Sequence, residues 1–543
     1  MQLNKKLIKD ILIALCLTSL LAYFMRDLAI PGLPKTHDVN PHISRAIAYH
    51  TALLDGQFPP MWAKEVLGGI GSSVLMLNYQ LPYMLGELWH RLGATIFDSY
   101  KISLGVTYIV SGLLMYFALR KRYGTTASWA SAIIYSLAPY RFVDIYVRGA
   151  LGESITFMFP PLLIWGFFTG SMPITILGWA GLFLTHPVAS AAFSGFFLFY
   201  TLINGKGQVW QKLKTFFVPY FIALAIAMFN LLPTLSLTKY TYYSPSLSDT
   251  LLMFPTMGQL IHSDWGYGVS LPGPADGMSF EIGYVLIVTL LVGLVMAFKK
   301  GQKDLRFLTT ASIIALLLIL PVSMPLYKLF LGNIIDFPWR LLLCLVFSAA
   351  WTGAIIIDSL PSHKVQKVLV FLITIALVWQ GMGMAHTHDY WPPEKDLAFF
   401  ARETGDSYGE YAPRTRVTRD SAPFSKRAEF ISGSGEIETL VDKSNEKTFL
   451  VKTSSAGEVR INTAYFPGWQ MPDDCYVTQR LAKHIDDSGL MACFVQVGET
   501  KLSVRYVAPP VQTAGNLITL AGIGAYLWIL FRSFYLHTTK KTQ

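Results

Sequence analysis

The stretch THDVNPHISRAIAYHTALLDGQFPPMW, residues 36–62, decides how the rest of the chain reads. It is polar and brings His37, Asp38, His42 and Arg45 close together. It directly follows an apolar run at 7–25, long enough to cross a bilayer, for which roughly 20 apolar residues suffice. Lys5, Lys6 and Lys9 stand before that run and no small-residue cleavage site stands after it. The run therefore reads as a retained signal anchor, amino terminus in the cytoplasm, with the quoted stretch outside.

Working outward from it, hydrophobic residues make up 52% of the chain and charged residues 14%. Apolar runs recur at 100–119, 125–140, 155–170, 173–186, 188–204, 216–237, 280–298, 307–324, 339–357, 368–385 and 514–531. Basic residues cluster at alternate ends of these runs: Arg120 to Arg122, Lys206 to Lys214, Lys299 to Arg306, and Lys364 with Lys367. That alternation is the positive-inside pattern. It predicts a polytopic α-helical membrane protein of about twelve spans, with both termini cytoplasmic. The TGSMP hairpin between 155–170 and 173–186 has no basic residue, and a re-entrant pair there would lower the count without turning the other spans over. The net charge of +10 follows the same alternation, which argues against a nucleic-acid partner.

The expected domains are a transmembrane unit at 1–385 with its first outer loop at 26–99, a soluble unit at 386–512, and a last span with a cytoplasmic tail at 513–543. The soluble unit carries TFLVKTS, GEVRINTAYF, MACFVQV and TKLSVRYV, short alternating runs separated by Gly and polar clusters. These predict a β-rich module, a sandwich or jelly roll, outside the cytoplasm. An oxidising compartment lets Cys475 and Cys493 pair, with free buried thiols as the alternative. Cys16 and Cys344 fall inside spans.

Candidate site residues concentrate on the outer side. Asn40 and Pro41 read as a helix cap and first turn. Ile43, Ala46, Ile47, His50 and Leu54 then form the apolar stripe of a helix lying on the membrane surface, with His42, Arg45 and Tyr49 opposite. Asp38 stands ahead of that helix, either free to face a cavity, solvated, or capping. Asp144, Arg148 and Glu153 lie between two spans. An exposed ion pair at i, i+4 is worth only a few tenths of a kcal/mol, yet ionisable residues at membrane depth also mark function. His186 ends a span, as a packed core histidine or a site residue. Arg340, in FPWR, sits at a helix start, the wrong end for the macrodipole. It either snorkels to headgroups or binds a phosphate. His262 lies in LIHSDWGYG, where Trp265 is a belt aromatic or a sugar platform. LGGIGSS follows no strand of a βαβ unit, so it is no nucleotide loop, and no His/Cys cluster has metal-ligand spacing.

HDVNPH, DGQFPPMW, NYQLPY, PYRFVDIYVRGALGE, LTH, FPWR and YFPGW together resemble the GT-C superfamily of integral-membrane glycosyltransferases. More narrowly, they resemble bacterial membrane proteins labelled "6-pyruvoyl-tetrahydropterin synthase-related". The resemblance implies an inner-membrane enzyme working on its periplasmic face with a polyprenyl-phosphate-linked sugar and a glycan, lipid or protein acceptor. It implies inversion, Asp38 as general base, and Arg340, Arg148 and Arg45 as candidates for the donor phosphate. His37, His42, Asp144, Glu153, His186 and His262 are supporting candidates. Many members carry two adjacent acidic residues where this chain has His37–Asp38, which leaves a divalent metal without a ligand motif. A non-catalytic scaffold for envelope polysaccharide and a lipid-linked glycan transporter are the rivals. No inverted repeat of broken helices favours transport.

Overall fold

The computed structural model describes residues 5–243, 247–270, 276–300, 302–401, 409–416, 424, 426–478 and 488–539. By length and composition, seven described helices can cross a membrane, or eight if one pair bent by 80° at Leu320 is a single span. The chain is a multi-pass membrane protein. One of the seven, Ile96–Ser136, turns back on itself at Gly124, whose φ of +75° a side chain would resist. The two arms lie against each other, since the Tyr108 hydroxyl donates to the Ser136 carbonyl at 2.9 Å. Two of the expected spans, 100–119 and 125–140, are these arms. A count of twelve further requires Lys5–Phe24 and the shorter apolar helices Met172–Thr185 and Tyr284–Lys300 to cross. Lys540 and Lys541, expected on the cytoplasmic tail, lie outside the described residues.

The 170–171 turn joins two antiparallel helices, Phe159–Thr169 and Met172–Thr185. Small residues set their spacing: a Cβ on Gly181 would fall 2.0 Å from the Phe159 ring and one on Gly178 2.7 Å from Leu163. Close backbone approach through small residues is the usual way helices pack where lipid removes the hydrophobic drive.

Between the helices His363–Met382 and Pro510–Thr539 stands the β-rich module. The strands are β1 (Leu33–Pro34), β2 (Tyr390–Trp391), β3 (Ala428–Ser432), β4 (Gly435–Asp442), β5 (Glu446–Thr453), β6 (Gly457–Ala464), β7 (Trp469–Gln470), β8 (Cys475–Val477), β9 (Leu490–Val495) and β10 (Gly498–Tyr506). Two four-stranded antiparallel sheets result, ordered β4-β5-β10-β7 and β3-β6-β9-β8. Phe449 and Val451 of one sheet and Val459, Ile461 and Met491 of the other are fully buried in one core. Cys475 and Cys493 are cross-strand partners of β8 and β9 and form a disulfide. Separately, β1 pairs with β2 and ties the end of the first helix to the start of the module.

The first outer loop is a strut between these two bodies. Trp62 is fully buried, its ring centre 5.6 Å from that of Trp469 and 5.4 Å from that of Tyr506. Arg427 reaches back to Glu65 at 2.6 Å, to the Gly69 carbonyl at 2.8 Å and to Asp442 at 3.0 Å. Gly71 has a φ of +87°, and a Cβ there would strike the Trp62 indole at 2.4 Å. The LGGIGSS segment is thus a packing element, its glycines admitting a tryptophan.

Replacing both module cysteines with serine should lower the module's stability by about 3 kcal/mol, the loop-closure value for a ring of this size. The readout is the urea concentration at which a protease cuts between β3 and β10. An unchanged concentration would mean that the bridge constrains nothing.

Candidate active site

The helix that carries the opening stretch runs Val39–Leu54, starting two residues earlier than an Asn40 cap would place it. Asp38, not Asn40, occupies the cap position, and its carboxylate makes no capping bond. Among the described residues that carboxylate has no hydrogen bond or ion pair at all. The expected surface helix is also corrected. The face opposite the expected apolar stripe is buried: His42, Arg45 and Tyr49 are each less than a tenth exposed. Leu54, assigned to the apolar stripe, is 65% exposed. The polar face turns inward because partners wait there. The His42 Nδ1 lies 2.9 Å from the Tyr83 hydroxyl and its Nε2 accepts from the Leu151 amide at 3.4 Å. Arg45 donates to the same hydroxyl at 3.4 Å.

What holds Asp38 in place is a widened turn. Val143–Arg148 forms a π-helix and closes on Gly149 in the left-handed conformation. Such turns free carbonyls from their own helix. Here the Val147 carbonyl accepts from the His37 amide at 3.1 Å and the Arg148 carbonyl from the Asp38 amide at 2.8 Å. Gly149 is required by space as well as by its φ of +63°, since a Cβ would lie 2.0 Å from the Thr36 hydroxyl. The backbone of the opening stretch is thereby bonded to the segment that carries Asp144 and Arg148.

Those two residues belong to an ionic cluster centred on Glu153. Arg148 Nη1 donates to Asp144 Oδ1 at 2.5 Å and to Glu153 Oε2 at 2.7 Å. Tyr140 donates to the other Glu153 oxygen. Arg340 Nε stands 3.4 Å from Glu153 and its Nη1 pairs with Asp336. His186 Nε2 lies 3.9 Å from Glu153. Trp339 sits under the Arg148 guanidinium at 4.6 Å. Asp144 and Glu153 are both 1% exposed, so a charge on either is offset only by these partners. Among the described residues both hydrogen bonds of Arg148 leave from Nη1, so its Nε and Nη2 remain for another ligand.

Burial pushes the His42 imidazole well below its ordinary 6.5, and the nearby guanidinium groups of Arg45 and Arg148 push the same way. A neutral ring accepting at Nε2 must carry its proton on Nδ1, which then donates to Tyr83. Burial likewise lowers His37. Its Nε2 lies 3.2 Å from the Tyr267 carbonyl and must donate to it. A nitrogen so used is no metal ligand, and among the described residues no group of three or more His, Cys, Asp or Glu could hold a metal ion.

The structure therefore gathers His37, Asp38, His42, Arg45, Asp144, Arg148, Glu153, His186 and Arg340 into one region. His262 stays outside it. Its side chain is 67% exposed and meets Tyr284, Asp264 and Glu281. Tyr79, Tyr83, Tyr140 and Trp339 complete the region without having been singled out. NYQLPY and PYRF held three of them, as aromatics flanking the polar segments.

No protein-family model and no curated protein matches the chain. Among solved structures it overlays a cryo-EM structure of arabinofuranosyltransferase AftD from Mycobacteria with a TM-score of 0.45 at 14% identity. That overlay takes in 74% of this chain and 27% of AftD, so the chain spans little more than a quarter of that protein. It also overlays a crystal structure of ArnT from Cupriavidus metallidurans bound to undecaprenyl phosphate, TM-score 0.41, 10% identity, over 75% of this chain and 78% of ArnT. At these scores the likeness is loose, and the chemistry of the site follows from this chain's own residues.

Glu153→Gln should destabilise the protein by about 3 kcal/mol, because it leaves two buried guanidinium groups short of charge. The loss is read as a fall in apparent melting temperature in nanodiscs. Asp336→Asn, at a side chain 39% exposed, should cost far less, and equal losses would deny the burial argument. For His42 the sign is fixed by its lowered value. The unfolded chain takes up a proton near 6.5 and the folded one only below that, so the stabilisation is complete above 6.5 and lost as pH falls. Melting temperature should drop from pH 7 to 5, and His42→Gln should flatten that slope; an identical slope would assign it elsewhere.

Proposed function

We propose that the chain is a membrane glycosyltransferase of GT-C type. It moves a sugar from a polyprenyl-phosphate donor to an envelope glycan, lipid or protein acceptor on the periplasmic face of a bacterial inner membrane. One observation carries the reading: the Asp38 carboxylate is held by its backbone beside a buried arginine cluster, and among the described residues no bond occupies its oxygens. Asp38 takes the proton of an acceptor hydroxyl. That oxygen attacks the anomeric carbon from the face opposite the lipid phosphate, the carbon–oxygen bond to the phosphate breaks, and the configuration inverts. The phosphate leaves with the bonding pair and needs only neutralisation and positioning. Arg148, with two uncommitted nitrogens, is the first candidate for it, ahead of Arg340 and Arg45. His37 and His42 orient the loop and the tyrosines around it, and His186 borders the Glu153 side.

One observation favours the non-catalytic scaffold instead. Arg148 and Arg340 already face Asp144, Glu153 and Asp336, so the cluster is electrostatically complete without a substrate. Asp38→Asn separates the two. A general base supplies roughly 100- to 10,000-fold, so the envelope glycan made by cells carrying the variant should collapse while the amount of protein in the membrane holds. Unchanged glycan at equal protein would leave the scaffold reading standing.

A further inference from the structure

The β-rich module does more than close over the site. The segment Gly409–Arg416, on the module side, is stitched to the end of the long helix Val209–Leu237 by backbone bonds. The Tyr242 amide donates to the Ala412 carbonyl at 3.1 Å, and the Arg414 amide to the Tyr240 carbonyl at 2.8 Å. Arg414 Nε adds a bond to the Thr241 carbonyl at 2.5 Å. Ser72, from the first loop, donates to the Tyr411 carbonyl at 3.1 Å. This stitching stacks two rings. Tyr243 and Tyr411 lie 5.6 Å apart, inclined by 23°.

The two rings differ in surroundings. Tyr411 is 9% exposed and also meets the Arg45 guanidinium, 5.8 Å from the ring centre. Beyond Arg45, Tyr83 and Tyr79 form a second stack, 6.1 Å apart and nearly parallel. Tyr243 is 40% exposed. An exposed tyrosine ordinarily samples several rotamers, and this one is backed by a buried ring and bonded through its amide to Thr241 at 3.2 Å. Burial, then the charges of Asp336 and Glu410, push its phenol up to about 12, against the opposing charge of Arg340. Asp336 is also the partner of Arg340 in the ionic cluster.

A partly exposed aromatic ring stacked on a buried one has a chemical match in a sugar ring. The electron-rich face attracts the polarised C–H bonds of one side of the ring. We infer that Tyr243, backed by Tyr411, is the surface on which the ring of an acceptor carbohydrate stacks. The inference rests on the glycosyltransferase reading for which substrate the ring belongs to. The side of approach decides that. A lipid-linked donor must enter from among the spans that carry Arg148 and Arg340, whereas Tyr411 comes from the module that faces water. Tyr243 is a specificity residue here, positioned by Tyr411, and takes no part in proton transfer.

The test uses the full chain in nanodiscs, in the Asp38→Asn background so that nothing turns over. Methyl glycosides of glucose, galactose, mannose, rhamnose and arabinose serve as probes in saturation-transfer difference NMR. At least one should receive saturation at its ring protons. Tyr243→Ala should reduce that signal about fivefold, the size of one aromatic contact, and Tyr243→Phe should keep it, because the face remains. No signal from any glycoside, or a signal indifferent to Tyr243→Ala, overturns the inference. A signal competed away by a prenyl-phosphate-linked sugar puts the stack on the donor side and overturns the acceptor assignment. A chain whose glycan output ignores Asp38→Asn but whose sugar signal depends on Tyr243 fails the catalytic reading and keeps this one.

Discussion

A carboxylate that is 1% exposed cannot stay charged alone, and Glu153 sets the terms for everything around it. Its two oxygens gather Tyr140, Arg148 and Arg340, with His186 just beyond. These come from three separate stretches of chain. Removing a charge from water costs several kcal/mol per ion even after relaxation, and attraction between the partners only roughly offsets that. The cluster therefore adds little net stability and a great deal of geometry. Pulling any one segment away would strand a buried charge, so the outer ends of the spans are held in register with one another. The π-turn extends that register to the first loop, because the amides of His37 and Asp38 bond to the carbonyls of Val147 and Arg148. Asp38 owes its position to an ion cluster it does not join.

The other end of the loop obeys a different rule. Around Trp62 the contacts are aromatic, and a buried tryptophan against Phe466, Trp469 and Tyr506 stabilises through area and edge-to-face geometry. Arg427, Glu65 and Asp442 fence that contact, each about a quarter exposed, where screening leaves ion pairs weak. The loop is thus clamped at one end by charge among the spans and at the other by apolar packing against the module. Residues between the clamps cannot move with one body and ignore the other. That is why the module reaches the site at all, and why Tyr411 arrives beside Arg45.

Much of this architecture was legible in the residues because hydropathy and alternation act locally. The runs at 173–186 and 188–204 match the helices Met172–Thr185 and Pro187–Asn204 almost to the residue. All four alternating runs of the module became strands, β5, β6, β9 and β10. The cysteines paired as the compartment argument expected. GEIETLVD carries three acidic residues in eight and has no strongly buried face. It is β4, an exposed edge strand, where charges block further pairing. The loop helix failed for a deeper reason. An apolar stripe with a polar face opposite suggests a helix lying on the membrane surface, yet His42, Arg45 and Tyr49 are buried. Their partners, Tyr83 and the Leu151 amide, lie 38 or more residues away, and no local period announces them. The centrality of Glu153 was hidden likewise: Asp144 and Arg148 advertise themselves at i, i+4, but Arg340 and Tyr140 meet only in the folded chain.

The same geometry ranks the arginines. A phosphate that must be neutralised as it leaves needs N–H groups not already aimed at carboxylates, preferably two in one plane. Arg340 directs Nη1 to Asp336 and Nε toward Glu153, and its guanidinium lies 4.8 Å from the Phe337 ring. Arg45 is shared between the Tyr83 hydroxyl and the Tyr411 ring. Arg148 satisfies both its carboxylates through Nη1. Its carbonyl meanwhile holds the amide of Asp38. In the proposed transfer one residue would serve both demands: its backbone sets where Asp38 sits, and its free edge is open to a departing phosphate. Asp38 and the Arg148 guanidinium are thus attached to one π-turn, and the Glu153 cluster holds that turn against the spans.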